Sequence, residues 1–394
     1  MKKITYIDEV EIKNKRILLR LDLNVSLDAK NQIANDARLQ QVLPTIKHLL
    51  KHNNKIIIVS HLGRPTRERR NSKFSLSVVA TRLQQYLENN QVTLVDDYKK
   101  SDDAFATQTN KEIIVLENIR FFPGEKQNNP EFSRSLAQLA DIYVNDAFAV
   151  SHRTEASIVG IPTQLPSYGG ILLKKEISMM DRVIKDPKKP VVVILGGSKI
   201  STKINLIDQL MKLANHLLVG GGIANTFLAS QDIEVGQSIY EYGEKENARR
   251  LLYEARRKKT MIMLPVDAVC GKVGSEDNVT VKKIEDIKRS DNILDIGPET
   301  QAIWGATIAN AKTIIWNGPV GYFENQAFRR GTDFIYYMIT QNDSATSVVG
   351  GGDTLAAISK KEYLDKITHI STGGGAMLEY IEKGTLPGIE ALKN

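Results

Sequence analysis

The chain has 394 residues, of which 42% are hydrophobic and 25% charged; the composition is that of a soluble globular protein, and the length suits two lobes better than one core. No apolar run approaches the ~20 residues that cross a bilayer, and Met1-Lys2-Lys3-Ile4-Thr5-Tyr6-Ile7-Asp8 lacks the apolar core and cleavage site of a signal peptide, so cytoplasm is the expected compartment. The net charge of +7 predicts anionic partners of any class, while the single Cys270 excludes an internal disulfide and reads as a small buried hydrophobe.

In chain order, short apolar runs at 16–23, 55–59, 92–95, 113–116 and 142–144 predict strands, and runs at 191–195, 217–219, 261–264, 313–316 and 347–349 repeat the pattern. They are β-branched and mostly apolar throughout, as in strands covered on both faces. Amphipathic stretches separate them: residues 37–52, 75–88 and 202–213, the last with Ile204, Ile207, Leu210 and Leu213 on one stripe. The alternation predicts an α/β protein with parallel sheets flanked by helices. Residues 161–170 are turn-rich, 174–185 read as a linker helix, and Asp186-Pro187-Lys188-Lys189-Pro190 closes it. The expected domains are therefore an N-terminal lobe of 1–168, a hinge and linker helix of 169–189, and a second lobe of 190–377.

Ligands of open parallel sheets bind beyond the carboxyl ends of the strands, and the two halves differ there. The first half carries polar and basic side chains: Arg20, Asp22 and Asn24, then His61 and Arg64, Arg120, and Asn145 and Asp146 with His152 and Arg153 beyond. Arg38 opens a helix. Guanidiniums converging on one sheet edge suit an oxyanion, because the planar fork pairs with phosphate or carboxylate oxygens. His61 adds a donor, and Asp22 and Asn24 hold a hydroxyl or orient the arginines. The run Arg64-Pro65-Thr66-Arg67-Glu68-Arg69-Arg70 reads as a solvated, mobile loop, Arg64 excepted.

The second half carries glycines at its strand ends: Gly196-Gly197, Gly220-Gly221-Gly222, Gly318, Gly350-Gly351-Gly352 and Gly373-Gly374-Gly375. Glycine brings backbone N–H groups close to phosphate, and a following helix adds its positive end. Lys199 and Lys203, four apart, would share a face on a first helical turn. No G-x-x-x-x-G-K-[ST] and no G-x-G-x-x-G at this turn occur, so the standard loop chemistries are excluded. Asp353 is a candidate ligand for Mg²⁺ beside nucleotide phosphates, and Glu324 a candidate acceptor from a ribose hydroxyl.

These residues resemble the phosphoglycerate kinase family nearly end to end. The match includes Arg20-Leu21-Asp22-Leu23-Asn24-Val25, Ser60-His61-Leu62-Gly63-Arg64-Pro65, Leu116-Glu117-Asn118-Ile119-Arg120-Phe121 and Val144-Asn145-Asp146-Ala147-Phe148. It continues through Gly196-Gly197-Ser198-Lys199, Asp295-Ile296-Gly297-Pro298 and the glycine triplets at 350 and 373. The resemblance implies reversible transfer of the acyl phosphate of 1,3-bisphosphoglycerate to ADP, giving 3-phosphoglycerate and ATP, in line and after hinge closure. It implies two Rossmann-like lobes, with residues 378–394 returning to the first. It places phosphoglycerate on Asp22, Leu23, Asn24, Arg38, His61, Leu62, Gly63, Arg64, Arg120 and Arg153. It places the nucleotide on Lys203, Ile293, Glu324, Gly351, Gly352, Asp353 and Thr354, with Mg²⁺ at Asp353. Arg38, Lys199 and the amides near Gly352 and Gly375 stabilise the moving phosphoryl.

The chain departs from the family pattern at Ser26, where proline is usual, at Asn35, where an aspartate is common, and at Glu155, where a histidine is frequent. Ile293 replaces a glycine that often lines the adenine side. None removes a group the chemistry needs. A dinucleotide-dependent dehydrogenase and a nucleic-acid-binding protein are the rival readings; the first lacks its glycine fingerprint, and the second needs basic residues clustered on one face. A monomer without a membrane partner or dedicated nucleic acid is expected.

Overall fold

The isoleucine- and valine-rich runs of the first half form a six-stranded parallel sheet. Its order is Gln91–Val95, Glu112–Leu116, Lys55–Val59, Arg16–Arg20, Ile142–Asn145 and Ser167–Gly169. The computed structural model describes residues 3–65, 72–358 and 361–393, so the basic loop from Thr66 to Arg70 lies outside the described residues. The chain divides into two compact units: residues up to Ser178 together with those from Lys383 on, and Met179–Glu382.

In the first unit, register decides where the polar residues emerge. Arg20 pairs with Val59 on one side and Asn145 on the other, so the segments after all three leave the same sheet edge. The helix Ala37–Lys51 buries Leu39, Val42, Ile46 and Leu49, a 3–4–3 spacing that puts one stripe on the core. The turn-rich stretch 161–170 holds an unforeseen strand, Ser167–Gly169, three residues long and too short to read as a periodic run. Residues from Lys383 on return to this unit: the Gly388 N–H donates to the Ser151 carbonyl at 2.8 Å, and Leu386, Ile389 and Leu392 are buried.

In the second unit the order is Met261–Met263, His216–Val219, Val191–Leu195, Thr313–Asn317, Thr346–Val349 and His369–Ile370, all parallel. Numbered along the chain this is 3-2-1-4-5-6, with its switch point between Val191–Leu195 and Thr313–Asn317. The first strand is buried along its whole length, and Trp304 and Trp316 anchor the apolar cluster on one face. Two expectations change here. The helix predicted from 202 runs only Ile204–Leu210 and buries Leu206, Ile207 and Leu210, because the preceding turn holds the chain out of helical geometry through Lys203. A small antiparallel sheet of Thr280–Lys283, Asp267–Cys270 and Ile293–Ile296 was not legible, since its outer strand is mostly exposed and lacks an apolar run. Cys270 is buried, and burial pushes its thiol up to about 11. Among the described residues no helix is long and apolar enough to cross a membrane.

Candidate functional site

At the carboxyl edge of the first sheet the chain places a cluster of guanidiniums around one histidine. Arg20 ends its strand fully buried and donates from Nε to Ser157 Oγ at 2.9 Å, and through Nη1 to the Leu21 carbonyl. Its Nη2 lies 3.3 Å from His61 Nδ1. Arginine only donates, so His61 Nδ1 accepts and the ring proton sits on Nε2. Burial, followed by the charges of Arg20, Arg120, Arg153 and Arg38, holds the His61 pKa well below its ordinary value. His61 is therefore a neutral donor at physiological pH.

Each of the other arginines is held differently. Arg38, second in the Ala37–Lys51 helix, donates to Asp22, itself buried. Arg120 sits on the short turn Ile119–Phe121 that follows Glu112–Leu116; it donates to the Gly63 carbonyl at 2.9 Å and to Glu155 Oε1 at 3.3 Å. Arg153 Nη1 is 3.6 Å from the same Glu155 oxygen. Asn24 Oδ1 accepts from the Gly63 N–H at 2.7 Å, and Ser60 Oγ accepts from the Leu23 N–H at 2.9 Å. Those two contacts pin the loop 60–63 to the loop 21–24, with Leu62 buried and Gly63 at a φ of +62° that favours glycine. Arg64 follows directly on that turn and is exposed, outside the group whose charges bear on His61.

Sequence reasoning found the arginines and Asp22, which holds Arg38, but not the other groups that hold them. Glu125 is buried and accepts from Ser157 N at 2.9 Å and Ser157 Oγ at 2.6 Å; burial raises its pKa, and the Arg20 charge opposes that. Asn118 donates to the Leu62 and Phe74 carbonyls at 2.7 and 2.9 Å and so ties a third loop to the site. Asp146 is structural: its Oδ1 accepts from the Leu173 N–H at 2.8 Å, at the start of the helix Ile171–Ile184, and burial pushes its pKa up to about 6. Their spacing in the chain carries no signal of these contacts.

The second unit presents glycine-lined backbone at its own switch point. A Cβ on Gly196 would overlap the Pro319 carbonyl, and one on Gly318 would overlap Gly196, so these turns are closed against each other. Beyond them lies a cavity of about 670 Å³. Gly197, Ser198, Gly221, Gly222, Glu324 and Asp353 line its polar parts; Ile239, Val273, Ile293, Pro265 and Phe323 line its apolar wall. Lys199 and Lys203 do not ride on a helical turn. Both precede the helix, Lys199 exposed and Lys203 turned inward, donating to the Gly196 carbonyl at 2.9 Å and to Asn317 Oδ1 at 2.8 Å. Burial pushes the Lys203 ammonium down to about 8, against the Asp353 charge.

Two helices begin side by side beyond the last strands, Gly352–Ala357 and Gly374–Lys383. A Cβ on Gly374 would overlap the backbone of Gly351, so the two N-termini touch. Thr354 Oγ1 accepts from the Gly318 N–H at 2.7 Å and donates to the Gly350 carbonyl at 3.0 Å, which commits its hydroxyl to the loops. Gly352 and Gly375 are exposed, and a Cβ on either would meet nothing within 4 Å. Neither has a positive φ. Nothing inside the protein requires glycine at these two positions.

One unit thus offers converging cations with a neutral imidazole donor, and the other offers helix N-termini and a cavity with polar and apolar sides. The family model described as phosphoglycerate kinase matches residues 7–384. A phosphoglycerate kinase of Dictyoglomus turgidum is 42% identical over 405 residues, covering all of both chains. One of Legionella pneumophila is 44% identical over 387 residues, covering 98% of this chain and 96% of that one. The solved structure of phosphoglycerate kinase from Coxiella burnetii superposes with a TM-score of 0.89 at 38% identity, covering 99% of this chain and 98% of that one. The enzyme from Pyrococcus horikoshii superposes with a TM-score of 0.81 at 29% identity, with the same coverage.

Proposed function

The chain belongs to the phosphoglycerate kinase family and is a glycolytic phosphotransferase, and from that premise we propose which of its residues hold each substrate and how transfer proceeds. The reaction moves the acyl phosphate of 1,3-bisphosphoglycerate to ADP, giving 3-phosphoglycerate and ATP. The dehydrogenase and nucleic-acid readings fall with the family assignment.

The phosphoglycerate lies on the first unit, against Arg38, Arg120 and Arg153, with Arg64 at the exposed rim and His61, Asp22 and Asn24 beside them. The observation that carries this reading is the gathering of four guanidiniums at one sheet edge: Arg20 lies 3.3 Å from His61, Arg38 bonds Asp22, itself 3.9 Å from His61, and Arg120 and Arg153 share Glu155. The nucleotide lies in the cavity of the second unit, its phosphates toward Gly197 and Asp353 and its base toward Ile239, Val273 and Ile293. Lys203, Glu324, the 351–354 turn and Ile293 are its contacts.

An oxygen of the ADP β-phosphate attacks the acyl phosphorus in line, the P–O bond to the carboxyl breaks, and the carboxylate leaves. Such transfer needs no protein nucleophile; positioning and charge stabilisation supply the rate. Arg38, Lys199 and the amides near Gly352 and Gly375 stabilise the moving phosphoryl. With the two substrates on different units, transfer requires hinge closure about the segment that contains the helix Ile171–Ile184, which also excludes water.

Mg²⁺ fits this donor set: Asp353 is one exposed carboxylate on the cavity wall, and Mg²⁺ typically takes one or two carboxylates plus substrate phosphates. Bound there, it would neutralise phosphate charge. The reading also assigns the cytoplasm and a monomer. A coupled assay with 3-phosphoglycerate, ATP and Mg²⁺ tests it, and turnover without loss on replacing Arg38, Arg120 and Arg153 in turn would refute the substrate assignment.

A further inference from the structure

The anion site contains carboxylates of its own, and one of them has no structural task that would explain it. Asp22 orients Arg38, and Glu125 is tied to Arg20 through Ser157. Glu155 is different: it lies between Arg120 and Arg153, 6% exposed, and meets both with a single oxygen. The geometry is loose. Arg120 Nη2 donates over a long 3.3 Å, and Arg153 Nη1 is 3.6 Å away, beyond a hydrogen bond. Glu155 Oε2, Arg120 Nε and Arg153 Nε are buried and find no partner among the described residues. A pair built for stability would be bidentate, with both oxygens and the guanidinium fork engaged.

We infer that Glu155 is a built-in counter-ion that sets the affinity and selectivity of the guanidinium cluster for phosphoglycerate. In the free enzyme it supplies the negative charge beside the buried Arg120 guanidinium and the partly exposed Arg153, and a buried guanidinium left without a counter-charge is costly. In the complex it remains beside the incoming anion, and like charges in close juxtaposition weaken binding. A small anion that meets only Arg120 and Arg153 gains little over Glu155 itself. An anion that also reaches Arg38 and the His61 and Asn24 loops gains enough to share the arginines. The carboxylate thus trades affinity for discrimination against sulfate and inorganic phosphate.

The inference rests on the substrate assignment proposed above, and its test separates the two. E155Q keeps the shape and removes the charge; E155A is a second neutral variant, and E155D retains the charge. The KM for 3-phosphoglycerate is expected to fall roughly tenfold in E155Q and E155A, with a smaller change in kcat, as repulsion at this range is relieved. The inhibition constant of sulfate falls at least as far, because sulfate has fewer compensating contacts to lose. E155D keeps both constants near those of the parent. The thermal midpoint of E155Q, lower than the parent's without anions, rises toward it in sulfate. Unchanged or raised KM in both neutral variants, or E155D behaving as they do, overturns the inference. If calorimetry shows no binding of 3-phosphoglycerate to the parent, the substrate assignment fails instead.

Discussion

Adjacent glycines at the start of the Gly374–Lys383 helix make opposite predictions, and Gly375→Ala is the more informative substitution. A Cβ at Gly375 meets nothing within 4 Å, and its φ is not positive, so alanine fits without strain. Replacing glycine by alanine at a compatible position stabilises by about 0.4–1 kcal/mol, because the unfolded chain loses freedom. For a unit of this size each kcal/mol moves the midpoint by roughly 2–4 °C, so the expected rise is about 1–4 °C. Activity is expected to move the other way. On the proposed transfer geometry the new methyl fills the open space where the phosphoryl group would meet the helix amides, and losing one such contact typically costs ~10²–10³ in rate. Scanning calorimetry and the coupled turnover assay on the same preparation read both quantities. A more stable G375A enzyme with turnover within about threefold of the parent would remove this helix terminus from the transfer step. Gly374→Ala is the control: its Cβ overlaps Gly351, so it loses about 1–3 kcal/mol by overpacking.

Arg38→Ala is expected to lower turnover by about 10²–10³ while far-ultraviolet circular dichroism stays unchanged, since the side chain is a third exposed and its helix is held by Leu39, Val42, Ile46 and Leu49. If Lys203 meets the nucleotide phosphates as proposed, its pKa of about 8 in the free protein rises on binding, so binding near pH 8–9 takes up a proton and affinity falls by up to about tenfold per pH unit above 8. Titration calorimetry in two buffers of different ionisation enthalpy measures that proton, and K203R, charged throughout, abolishes it. Because an unfolded lysine titrates near 10.4, the buried charge costs stability below pH 8 and that cost is relieved between about 8 and 10.4. Gly196→Ala forces a methyl onto the Pro319 carbonyl at the switch point, so a loss of about 1–3 kcal/mol in unfolding free energy is expected from denaturant titration, together with weaker nucleotide binding.

The local chain determined the strands, because runs such as 55–59 and 191–195 are covered on both faces and periodicity records burial. It also determined what chemistry each half carries at its strand ends, since arginines follow the runs of one and glycines those of the other, where parallel sheets bind ligands. Three-dimensional packing alone decided what each side chain is paired with. Arg20 bonds Ser157 across 137 positions and Arg120 meets Glu155 across 35, and a Coulomb interaction depends on distance in space, which sequence separation does not encode. The same holds for the neutral state of His61, for the inward turn of Lys203, and for the difference between Gly374, closed against Gly351, and Gly375, open beside it.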